Sequence, residues 1–175
     1  MKLKKITLIF FLFVFTNSQA DTPYFIDFKY VLNESIAGKK AQKDLKNQLE
    51  KGLESIKSRQ KKISEDEKKI IQQKKIISAE EYKKKVSELR NKVSEIQKER
   101  GKLLESVAKQ RAKARAEILK SLSPILKDIM NEKGAIAILE RSAVLIGSPD
   151  VDITDTATKR LDGVLSSVKV EAPAK

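Results

Sequence analysis

The chain contains no cysteine and no histidine. Without cysteine, no disulfide can staple a small fold, even in an oxidising compartment. The two absences together remove the commonest general base, the thiol nucleophile and most transition-metal ligand sets. Nothing that remains argues for catalysis, so the expectation is a protein that is not an enzyme and holds no metal or cofactor. Aromatic residues make up only 5% of the 175 residues. Four of the six phenylalanines fall between positions 10 and 15, and beyond position 20 only Tyr24, Phe25, Phe28, Tyr30 and Tyr82 remain. That supply does not suit a conventional globular core; burial has to be concentrated in one small place.

What is present begins with a leader. Residues 1–5 are basic, Ile6 to Phe15 is an apolar run interrupted only by Thr7, and Ser18-Gln19-Ala20 fits a small-x-small cleavage pattern. This predicts a secretory signal peptide over residues 1–20, cut between Ala20 and Asp21. The competing reading is an uncleaved anchor, but a spanning helix needs roughly 20 apolar residues. The mature chain is then one small domain's worth of sequence. Its charge is uneven. Between Gly38 and Lys133 there are 28 Lys and Arg against 15 Asp and Glu, a net of +13; the rest of the mature chain has 6 against 9, a net of −3. The basic character belongs to the middle.

Periodicity explains that middle. Leu49, Ile56, Ile63, Ile70 and Ile77 recur every seven residues, the spacing of a coiled-coil seam. The complementary positions are mostly polar, with Leu53 followed by Gln60, Glu67 and Lys74. Such a helix buries little and must stay largely exposed. Ser78 with Glu81 forms a capping box that starts a second helix. Its stripe is fuller: Tyr82, Val86, Leu89, Val93, Ile96, Leu103 and Val107, then a wider apolar face from Leu122 to Met130 in which Pro124 should kink or restart the helix. Two helices joined by a tight turn near Ser78 run antiparallel, residue i facing about residue 155 − i, as a protruding hairpin roughly 60 Å long. Gly52 and Gly101 sit at one level of it. Each costs roughly 1 kcal/mol relative to alanine in a helix interior; chance placement and an arm hinge are both open readings.

The ends read as a small body. Tyr24 to Phe28 predicts a strand, followed by a helical turn at Tyr30-Val31-Leu32. Gly134 is a helix stop. Ala135–Leu139 and Ala143–Ile146 read as two strands of a hairpin, and Asp152 or Thr154 caps a last helix. The fold class is therefore mostly α with a small β component: a hairpin arm over 38–121, a discontinuous body from 21–37 and 122–169, and a frayed tail over 170–175. Three short strands and two partial helices bury too little to stand alone. Oligomerisation through Phe25, Phe28, Ile136, Ile138, Val144 and Leu145 is the natural remedy.

The order of strand, long helix, return helix, strand pair and short helix resembles the Skp (OmpH-like) family of periplasmic chaperones over essentially the whole mature chain. The residues carrying it are Phe25 to Ser35 with Gly38-Lys39-Lys40-Ala41, and Ala135 to Leu139 ahead of Asp150-Val151-Asp152-Ile153-Thr154. The resemblance implies a homotrimer with a barrel-like body and three helical arms. Between the arms, unfolded outer-membrane proteins are held without ATP. The family is also associated with lipopolysaccharide contact; no local pattern here marks a site for it.

An isolated charge run is usually a solvated face. A net of +13 on every arm is a field, and it attracts anionic partners: acidic unfolded clients, an anionic lipid or lipopolysaccharide surface. Nucleic acid is not expected, given the leader and the near absence of arm aromatics for base stacking. The alternative is an envelope coiled-coil scaffold that holds no client.

Overall fold

The computed structural model describes residues 22–171. The leader over 1–20, its cleavage point at Ala20 and Asp21, and residues 172–175 lie outside the described residues. The chain opens with strand β1, Tyr24–Ile26, shorter than the sequence suggested because Asp27 caps a helix at once. Its carboxylate accepts from the backbone N–H of Tyr30 at 2.8 Å, and helix α1, Phe28–Glu34, follows. Ser35 ends α1 and caps α2, Ile36–Gln73, by accepting from the Gly38 N–H at 3.2 Å. A Cβ at Gly38 would sit 2.0 Å from the Leu32 carbonyl oxygen, so this elbow between the helices needs glycine.

After a turn at 74–78 the long helix α3 runs from Ala79 to Lys133. The Ser78 hydroxyl accepts from the Glu81 N–H at 3.2 Å, as the capping box predicts. At its far end Gly134 adopts the left-handed conformation, φ 60° and ψ 30°, and its N–H bonds back to the last turn. Pro124 does not restart the helix: α3 is continuous through it. Proline frees the carbonyl four residues back, and both Pro124 and Lys120 lie on the exposed side, where water can take that group.

The β component departs from the expected hairpin. Strand β2 is Ile138–Glu140 and pairs with β1 in parallel, Phe25 against Leu139. Arg141–Ala143 forms a turn of 3₁₀ helix, and Val144 to Ile146 forms no strand within the chain. A second 3₁₀ turn, Pro149–Val151, leads to helix α4, Thr154–Val164. The Asp152-Ile153-Thr154 run closes the body. The Ile153 N–H donates to the Phe25 carbonyl at 3.0 Å, and the Asp27 N–H donates to the Thr154 hydroxyl at 2.8 Å. Thr154 is not the helix cap; its hydroxyl and N–H both donate to Asp152, at 2.5 and 2.9 Å.

Burial is divided in two. One cluster gathers Ile26, Val31, Ala37, Ala41, Ala114, Ile118, Leu122, Ile125, Ile129, Ile153, Ala157, Leu161 and Val168. The body core therefore climbs into both long helices beyond the boundaries at 37 and 122. A second cluster of Leu45, Ile56, Ile96, Leu103 and Val107 lies wholly in the arm.

Candidate functional site

The arm is made by α2 and the facing part of α3. At 38 and 55 residues these helices are roughly 57 and 80 Å long. Of the expected seam, Ile56, Ile96, Leu103 and Val107 are buried, while Leu49, Ile63, Ile70, Ile77, Val86 and Leu89 are half-buried. Val93 is 43% exposed and contributes little to the seam. Sequence reasoning missed Leu45, Gln110 and Ala114, all buried. Leu45 lies one heptad before Gly52, a signal that could have been followed.

The polar partner series of the first seam also needs correction. Gln60, Glu67 and Lys74 are exposed. The residues that meet α3 lie one position earlier, at Arg59, Asp66 and Gln73. Arg59 Nη1 donates to Glu99 Oε1 at 2.9 Å, Lys92 Nζ to Asp66 Oδ2 at 3.2 Å, and Lys85 Nζ to Gln73 Oε1 at 2.9 Å. Both i+3 and i+4 border a helix stripe, and the facing helix decides which is used. The result is a ladder with a rung every heptad on both helices, in the half of the arm where apolar burial fails. Nearer the body, Gly52 faces Leu103: a Cβ there would lie 2.5 Å from Leu103 Cδ2. The same construction at Gly101 meets nothing within 4 Å.

Of the 28 cations between Gly38 and Lys133, only Lys39, Lys46, Arg59, Lys85, Lys92 and Lys113 stand in ion pairs among the described residues. The remainder stand in no ion pair among the described residues, and the excess of 28 cations over 15 carboxylates gives the arm a net positive field. Lys39 is held more firmly protonated by its hydrogen bond and ion pair with Glu34, 2.8 Å away. At the root of the arm a cleft of about 720 Å³ is lined by Leu45, Leu49, Ala114 and Ile118 together with Arg111 and Arg115. Arg115 stacks over Phe28, 5.9 Å from the ring centroid.

The residues assigned to the body divide. Phe25 is buried and Phe28 packs against the core, but Ile136 is exposed and Leu145 is 97% exposed, with Ile146 beside it. Ile138 and Val144 are half-buried. No group of three or more His, Cys, Asp and Glu among the described residues could hold a metal ion. No helix among them is long and apolar enough to cross a membrane.

The profile described as outer membrane protein (OmpH-like) matches residues 24–161, from the first strand into the last helix. The chain belongs to the OmpH-like family. Its fold agrees with a crystal structure from Caulobacter crescentus CB15, described as that of a candidate outer membrane chaperone (OmpH-like). The two share 17% sequence identity with a TM-score of 0.81, over 87% of this chain and 90% of the other. At that identity the likeness establishes the shared fold. No curated protein matches the sequence. OmpH-like membership and the helical pair with its small sheet agree with each other.

Proposed function

We propose that this OmpH-like chain is an exported holdase that keeps unfolded outer-membrane proteins from aggregating, without ATP, in the periplasm. The observation that carries it is the arm: long, mostly exposed, with 28 cations against 15 carboxylates and so a net charge of +13. Such a surface can engage an acidic, extended chain along its length without a deep pocket. Anionic lipid or lipopolysaccharide surfaces offer the same charge and are further candidate partners. The body supports assembly into a homotrimer. Its two strands are only three residues long, with β1 held between β2 and Asp152 so that the free edge of the sheet is that of β2, and apolar side chains are bare at Leu145 and Ile146; exposed surface of that kind is commonly an interface.

The direct test dilutes a urea-denatured β-barrel protein into buffer with the purified mature chain. Light scattering should stay low at a modest excess of chaperone. Protection should weaken as salt rises toward roughly 0.5 M, where the screening length falls to a few ångströms. Aggregation as fast as in buffer alone would remove the holding function and leave the envelope scaffold. Protection that grows with salt would leave holding intact but reassign it to apolar contact.

A further inference from the structure

Past Val164 the backbone leaves α4 and runs without regular structure to Glu171. A frayed tail was expected from residue 170; instead this stretch is docked. Val168 is buried in the body cluster. Val170 packs against both the body cluster and the arm cluster, and among the described residues no other partly buried apolar side chain does so. Glu171 then touches each arm helix. Its backbone carbonyl accepts from Gln48 Nε2 on α2 at 2.9 Å, and its carboxylate pairs with Lys113 Nζ on α3 at 3.6 Å. Gln48 lies seven residues beyond Ala41, the last α2 residue of the body cluster, or roughly 10 Å up the arm.

We propose that residues 165–171 form a strap that fixes the angle of the arm on the body, and so sets the width of the space in which clients are held. The second half of that statement rests on the holding function proposed above. The seam under the strap is weak. Gln48 Oε1 and Gln110 Oε1 are buried there and accept no hydrogen bond from the described residues, and such oxygens gain when the seam opens to water. Immediately beyond, Gly52 seats Leu103 rather than offering a side chain of its own. The strap bridges the gap between two cores that otherwise meet only through the helices themselves. Its grip is modest. Lys113 and Glu171 are 55% and 73% exposed, so their ion pair contributes little and Val170 with the Gln48 contact does most of the holding. Elements held so lightly open locally while the rest of a fold stays intact.

Spin-labelled unnatural amino acids at positions 75 and 159 report the distance from arm tip to body within one chain, diluted with unlabelled chain to silence neighbours. The full-length protein should give one narrow distance peak. Deleting residues 170–175, or making Val170→Asp in the full chain, should lose that peak to a broad distribution. Because either change can disturb folding, the opposite change is made as well. Gln48→Cys with Glu171→Cys, in a chain with no other cysteine, should narrow the peak when oxidised and release it when reduced. A distribution unmoved by both loosening and locking overturns the strap. The distances need no client, so a wild-type protein that protects nothing would sink the holding function and leave the strap standing. If protection is present, loosening the strap should shift the range of client sizes held.

Discussion

At the scale of single residues, the two arm glycines are not equivalent. A Cβ at Gly101 points into open space, so Gly101→Ala should stabilise the arm by about 1 kcal/mol, the ordinary helix-propensity gain. The same change at Gly52 drives a methyl into Leu103, 2.5 Å away in a buried cluster, and the repacking cost should cancel or exceed that gain. Thermal melts by circular dichroism on the two single variants should therefore separate, Gly101→Ala above Gly52→Ala; coincident melts would contradict the close packing. Of the two open readings at this level, a hinge would rest on Gly101, since Gly52 has a packing reason to be there. A second residue-scale expectation concerns Glu132 and Arg160, which join the end of α3 to α4 by two hydrogen bonds of 2.8 and 2.6 Å. The Arg160 hydrogen bonds hold the Glu132 carboxyl below its usual range. A depressed acid pKa gives stability that is present above the unfolded value of about 4.3 and fades as pH falls through the lower folded value. Arg160→Ala should thus be destabilising near neutrality and close to neutral in strong acid, as urea melts at several pH values would show. A gap that persists into strong acid would mean that Arg160 acts through packing instead.

At the scale of elements, the rungs at Arg59, Asp66 and Gln73 do more than hold the outer arm. The two charged rungs have opposite signs, Arg59 with Glu99 and Asp66 with Lys92, so a slip of one heptad would set Arg59 against Lys92 or Asp66 against Glu99. Each pair is partly exposed and contributes only a few tenths of a kcal/mol to stability, but a wrong register collects repulsion. Asp66→Lys should speed hydrogen exchange in the outer arm, and adding Lys92→Asp should restore most of the protection. If the double variant exchanges as fast as the single, the rung does not set register. The hairpin itself was legible in the sequence because everything that makes it is local: the heptad of isoleucines, the capping box at Ser78 and the stop at Gly134. The rungs were placed one residue off because the period alone does not choose between the two edges of a stripe. The sheet was misread for a different reason. Ala143 to Ile146 has strand-forming composition, but pairing is decided by distant segments, and the partner that β2 finds is β1, more than a hundred residues away. The strap left little sequence signal: Leu165, Val168 and Val170 are apolar but follow neither a helical nor a strand period.

At the scale of the molecule, the chain has two cores and one of them is incomplete. Leu145 and Ile146 stand almost fully exposed, and the sheet of the body has only two strands among the described residues. Leu145→Asp should therefore break the assembly in native mass spectrometry while leaving helix content unchanged, whereas Ile63→Asp, out in the arm, should loosen the arm and leave the assembly whole. A wild-type protein that stays monomeric at micromolar concentration would refute the homotrimer.

The parallel pairing of β1 with β2 also has a consequence in time. The contacts that tie β1 and its helix cap into the body, from Phe25 and Leu139 to Asp27 and Thr154, span more than a hundred residues, while the arm closes on a turn of a few residues. Long loops close slowly and local hairpins quickly. As the chain emerges amino end first, β1 is the earliest element out and the last to be satisfied. The arm is complete while the first strand still waits for its partner. A waiting strand is open to a sister chain's β2, so the closing of each body competes with exchange between bodies, and the balance is set by how crowded the newly arrived chains are.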